Sequence, residues 1–157
     1  MKQKGEHYDL KEIYEKVNVR YFDDQIDLQI EWFGSKSFIP RRRLLLGSYH
    51  RKKGLIKIHR LLDQAHVPRY FITYIMYHEM LHHVEPPIER IGERRRIHHR
   101  GFNLREKEFE EYALVQEFRK VIRDQWFKPH APRLKRRKVS RRPRILRRIL
   151  KLFMTCF

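Results

Sequence analysis

His78-Glu79-Met80-Leu81-His82 has the residue types and the spacing for metal chemistry. Two histidines four apart on a helix lie one turn above each other and face the same way, so they can share one ion. A glutamate beside the first histidine can take a proton from a metal-bound water. The pattern implies a zinc-dependent hydrolase, with peptide bonds as the first substrate class to test. The chain holds ten histidines and thirteen glutamates. At those frequencies the pattern arises by chance roughly 0.05 times in such a chain. The bland alternative is a pair of polar residues on a core helix. Against it stands the surrounding run, with Phe71, Ile72, Ile75, Met76, Met80 and Leu81. Polar groups in a helix that apolar need partners.

A catalytic zinc usually has three protein ligands and one open position. The extended pattern H-E-x-x-H-x-x-G-x-x-H is not met, since Glu85 stands at its glycine and Ile88 at its last histidine. Further on, His98 and His99 are candidates, as are Glu106, Glu108, Glu110 and Glu111. Several glutamates on one helix are more often a solvated face, so a histidine is the sharper expectation. His83 points about 100° away from His82 on a helix and is read as non-ligating.

The elements that must position these residues follow from periodicity. Tyr8 to Phe22 repeats apolar residues at three- and four-residue steps, a helix. Ile26 to Trp32 alternates, a strand with one buried face. Leu44 to Tyr49 and Leu55 to His59 read as two more strands, and the three are expected to form a small antiparallel sheet. Leu61-Leu62 begins a short helix or turn. The motif helix is expected from Val67-Pro68 to about Val84, where Pro86-Pro87 stops it. Ile88 to Ile97 reads as a charged loop, and Asn103 to about Trp126 as one long second helix.

Composition sets the outer limits. The chain has 157 residues, 41% of them hydrophobic, enough for one domain with a core. A single cysteine, Cys156, excludes an internal disulfide and a four-cysteine zinc ribbon. The first residues lack the apolar core of a signal peptide, and no run approaches the length of a transmembrane helix. A cytoplasmic protein is the expectation. Net charge is +18, and two thirds of that excess lies in Gln125 to Phe157, which carries no acidic residue. A surplus of this kind favours polyanionic partners. Lys135, Arg136, Arg137, Lys138, Arg141 and Arg142 are the candidate nucleic-acid contacts. A helix over Arg144 to Phe153 lying on an anionic membrane surface is the competing reading, and a solvated tail is the bland one. Arg41 to Arg43 and Arg94 to Arg96 read as ordinary loop runs.

From about Val17 to Phe118 the sequence resembles the SprT-like zinc metallopeptidases, the group of the SprT proteins and Spartan. The likeness rests on Asn18-Val-Arg-Tyr-Phe22, Ile30-Glu-Trp32, Leu46-Gly-Ser-Tyr49, Ile56-Lys-Ile-His59-Arg-Leu61 and the motif helix, in that order. It implies a compact α+β zincin-like domain over residues 1–127, followed by a basic tail over 128–157. In that family the third ligand is a histidine, usually followed by glycine, with an aromatic residue four positions on. Phe102 stands four after His98, but His99 takes the glycine's place; His99 is nearer Gly101 and has Asn103 four on. The resemblance therefore implies Zn²⁺ held by His78, His82 and His98, with His99 as the alternative third ligand and Glu79 as the catalytic base. The zinc ribbon some members carry is absent, and the basic tail stands in its place. The implied activity is hydrolysis of peptide bonds, with nucleic-acid-associated proteins as the expected substrates. The alternative is a zinc-bearing nucleic-acid-binding protein with little or no peptidase activity.

Overall fold

In the computed structural model the described residues are 3–37, 45–89, 92 and 95–127. The candidate nucleic-acid contacts from Lys135 to Arg142, the expected helix over 144–153 and the arginine run at 41–43 lie outside them. The described residues form an α+β fold. Its elements are α1 (Leu10–Phe22), β1 (Gln29–Phe33), β2 (Gly47–His50), β3 (Leu55–His59), α2 (Arg69–Val84), α3 (Arg100–Glu106) and α4 (Tyr112–Phe127).

Helix α1 begins where the Asp9 carboxylate accepts the Lys11 amide N–H, a side-chain cap. It ends at Asp23, which adopts the left-handed conformation with φ 52°. The buried Asn18 then fastens the next segment: its Nδ2 donates to the Ile26 carbonyl at 2.8 Å, and its Oδ1 accepts the Ile26 N–H at 3.2 Å. Strand β1 is thereby delivered to the sheet with Ile30 and Trp32 facing the core. Ile56 and Ile58 on β3 face the same way, while Lys57 and Glu31 pair at 2.8 Å elsewhere on the same two strands.

The sheet order is β1–β3–β2. The antiparallel expectation holds for β2 and β3 but not for β1 and β3, which run parallel. The reason is the strand order: β3 lies between β1 and β2. Among the described residues β2, the second strand in sequence, pairs with β3 alone and forms an edge of the sheet. The tight turn at Arg51–Lys53, closed by Gly54 at φ +54°, then folds β3 back between the two. Alternation within a strand records which face is buried and says nothing about which strand lies beside it.

Helix α2 is the hub. It packs against α1, α3, α4, β2 and β3. Nine of its residues are buried, among them Phe71, Tyr74, Tyr77, Met80 and Leu81. Pro68 occupies the position just before its first turn rather than inside it, and Pro86-Pro87 prevents its continuation. The expected single helix from Asn103 to Trp126 is two helices, α3 and α4, separated by Lys107–Glu111. The break turns Phe109 into the core, 2% exposed, with its ring 5.5 Å from that of Tyr74 and 5.6 Å from that of Tyr77. A continuous helix would have spread the same apolar residues along one stripe without driving that ring inward.

Candidate metal centre

His78 and His82 lie on successive turns of α2, with ring centroids 4.8 Å apart. His98 comes from the segment that precedes α3, and its ring centroid is 5.2 Å from His78 and 5.0 Å from His82. One ligand atom from each of the three lies within 4.8 Å of the others. His98 Nε2 is 3.3 Å from His82 Nε2. Tetrahedral zinc with Zn–N bonds of about 2.0–2.1 Å sets two nitrogen ligands about 3.3–3.4 Å apart. The His82–His98 spacing therefore suits a zinc-sized ion, and the three-histidine set could hold a metal. Burial, aided by His78 and His98, pushes the His82 imidazole down to about 3, and burial also lowers His98. Both rings are thus neutral near pH 7, the form that binds metals.

Phe102 explains why an aromatic residue four after His98 matters. Its ring is buried, stacks on His82 at 4.6 Å and 25°, and meets His98 at 4.8 Å and His78 at 5.2 Å. One side chain thus packs against all three imidazoles. His99 is occupied elsewhere. It caps α3, where its Nδ1 accepts the Phe102 N–H at 3.3 Å, and its Nε2 lies 3.7 Å from Glu85 Oε2. Gly101 makes room for it, since a Cβ there would sit 3.2 Å from the His99 ring. His83 turns away from the cluster and hydrogen-bonds the Tyr49 hydroxyl at 2.8 Å.

Glu79 is 6% exposed. Burial raises its carboxyl to about 7, against the opposing effects of His78 and the Tyr49 backbone hydrogen bond. It lines a cleft of about 370 Å³ together with His78, His82, His98, Gly47 and Tyr49. Gly47 is where β2 passes closest: a Cβ at that position would lie 2.7 Å from Glu79 Oε1 and 2.8 Å from Ile75 Cγ2. Arg51, in the turn after β2, donates to the His82 carbonyl at 2.8 Å and ties the strand pair to the end of α2.

One residue read from the sequence as a member of a solvated glutamate face is placed otherwise. Glu106 turns inward from the last turn of α3, with Oε1 2.8 Å from His78 Nδ1 and 2.5 Å from the Tyr74 hydroxyl. Burial alone would raise its carboxyl. The hydrogen bonds from His78 and Tyr74 outweigh that and bring it to about 2. The available signal was Tyr74, which sits four residues before His78 on the same face of α2.

No family model matches the chain, and no curated protein matches it in sequence. In structure the chain is similar to the metallopeptidase zymogen jannalysin of Methanocaldococcus jannaschii. The TM-score is 0.50 and the identity 17%, over 80% of this chain and 97% of that one. The likeness is one of fold: a small α+β metallopeptidase-like architecture, here with three histidines able to hold a metal ion.

Proposed function

We propose that the chain is a zinc-dependent metallopeptidase of the SprT-like kind, with His78, His82 and His98 as ligands and Glu79 as the base. The observation that carries this reading is the 3.3 Å separation of His82 Nε2 and His98 Nε2 in a cleft that the Glu79 side chain also lines. Zn²⁺ bound by these three histidines would supply Lewis-acid polarisation of a scissile carbonyl and lower the pKa of a water towards about 7. Glu79 would be placed to accept a proton on its carboxylate and return it to the departing amine nitrogen. Strand β2 is at the sheet edge among the described residues and lines the cleft through Gly47, Ser48 and Tyr49. An extended peptide adds to that edge as a further strand, with Leu45 and Ile97 as apolar walls.

Zinc titration of single variants tests the ligand set. Wild type and His99→Ala bind one zinc per chain, and His98→Ala loses most of its affinity. Loss of zinc in His99→Ala with retention in His98→Ala would reverse the assignment.

A further inference from the structure

The His78 ring has a second partner that the proposed chemistry does not use. Its Nδ1 is 2.8 Å from Glu106 Oε1, and the same oxygen accepts the Tyr74 hydroxyl at 2.5 Å. Glu106 has a side chain 14% exposed and closes α3. Tyr74 is buried and lies one turn before His78 on α2. The Arg119 guanidinium, from α4, lies 5.4 Å over the Tyr74 ring. Glu106 of α3 thus reaches the imidazole nitrogen, Tyr74 of α2 shares its oxygen, and Arg119 of α4 covers the Tyr74 ring.

We propose that Glu106, held by Tyr74, is a positioning residue for His78: it fixes the proton on Nδ1 and leaves the Nε2 lone pair for the metal. The physical reason is tautomeric. A neutral imidazole carries one proton, and a carboxylate that only accepts hydrogen bonds stabilises the form with the proton facing it. The hydrogen bond to the carboxylate restricts rotation of the ring before any ion arrives. Such outer partners change metal affinity by about 10–100-fold when they are removed. The shared oxygen gives Tyr74 its place. By donating to Oε1 it sets the direction of the Glu106 carboxylate, so that His78 meets a fixed acceptor and not a mobile one. Glu106 acts here from behind the histidine and is not itself one of the ligands.

This inference rests on the proposed zinc site, and the test separates the two. Zinc affinity is measured by competition with a coloured chelator for wild type, Glu106→Gln, Glu106→Ala and Tyr74→Phe, with circular dichroism as the control for folding. Wild type that binds no zinc removes the proposed site. Given a wild-type site, Glu106→Gln is expected to stay folded, to bind one zinc, and to lose about 10–100-fold in affinity. Glu106→Ala loses at least as much, and Tyr74→Phe less than either. In the metal-free protein, ¹⁵N spectra of the His78 ring show the Nδ1–H form in wild type and a mixture of tautomers in Glu106→Ala. A Glu106→Gln protein with wild-type affinity, or an unchanged tautomer in Glu106→Ala, overturns the inference. So does a change in the visible bands of the Co²⁺-loaded Glu106→Gln protein that signals a lost ligand, since Glu106 would then be bound to the metal.

Discussion

Glu79 is held between a helix and a strand that nearly touch, and Gly47 makes that approach possible. Its missing side chain leaves space that Glu79 Oε1 and Ile75 Cγ2 would otherwise contest at 2.7 and 2.8 Å. Gly47→Ala must therefore move the carboxylate, the strand or both. A shift near 1 Å at a reacting group costs on the order of 10²-fold in rate. The expected outcome is a kcat lowered by about 10–100-fold with zinc stoichiometry unchanged, read by peptide hydrolysis beside metal analysis. Wild-type turnover in Gly47→Ala would show that Glu79 does not need its present position. At this scale the sequence is partly transparent. The spacing of His78 and His82 announces two rings able to share an ion, because helical geometry converts four residues into one turn. The choice between His98 and His99 is only half visible in spacing: Phe102 four after His98 favours it, while Gly101 lies nearer His99. The rest depends on which ring caps α3 and which is left to face α2, a matter of backbone direction at one residue. Glu106 is hidden for a related reason: its neighbours in sequence are exposed glutamates, and only the end of α3 turns it inward.

Among the elements, the N-terminal segment is fastened by one buried carboxylate. Asp63, 0% exposed, follows the short turn after β3. It accepts the N–H groups of Glu6 and His7 at 2.8 Å and of Tyr8 at 3.1 Å, and lies 3.0 Å from Lys36 Nζ. Burial alone would raise its carboxyl, but these partners outweigh it and leave the group below its ordinary value. A folded-state value below the unfolded one, about 3.9, contributes stability that is complete above that pH. It is lost as pH falls through the folded value, because the unfolded chain then binds the proton more readily. Urea midpoints measured from pH 7 down to pH 3 should therefore fall below about pH 4, and fall less steeply in Asp63→Asn. Equal slopes for the two proteins would contradict the clamp. Helices and strands were legible in outline because periods of 3.6 and 2 mark buried faces. Strand order was not, since β1 and β3 are neighbours in the sheet but not in sequence, and alternation does not choose a strand's neighbour. The division of α3 from α4 was also concealed, because Phe109 fits a helical stripe as well as it fits the core.

For the whole molecule, the charge is lopsided in sequence, with Gln125 to Phe157 free of acidic residues. A polyanion held by such a stretch binds with a strong salt dependence. Duplex DNA affinity is expected to fall steeply with salt, and neutralising Lys135, Arg136, Arg137, Lys138, Arg141 and Arg142 to reduce the logarithmic slope by up to about 5. An unchanged slope would remove these residues from nucleic-acid binding, and a preference for anionic vesicles over DNA would favour the membrane reading. No helix among the described residues is long and apolar enough to cross a membrane.

The fold brings a buried glutamate and three histidines to one cleft, and the central claim is that they hydrolyse peptide bonds together. Cleavage of casein by the zinc-loaded protein, measured with and without DNA and compared between wild type and Glu79→Gln, tests this most directly. The predicted result is one zinc per chain in both proteins and hydrolysis by wild type alone. Equal cleavage by the two, or none by zinc-loaded wild type under either condition, would contradict it.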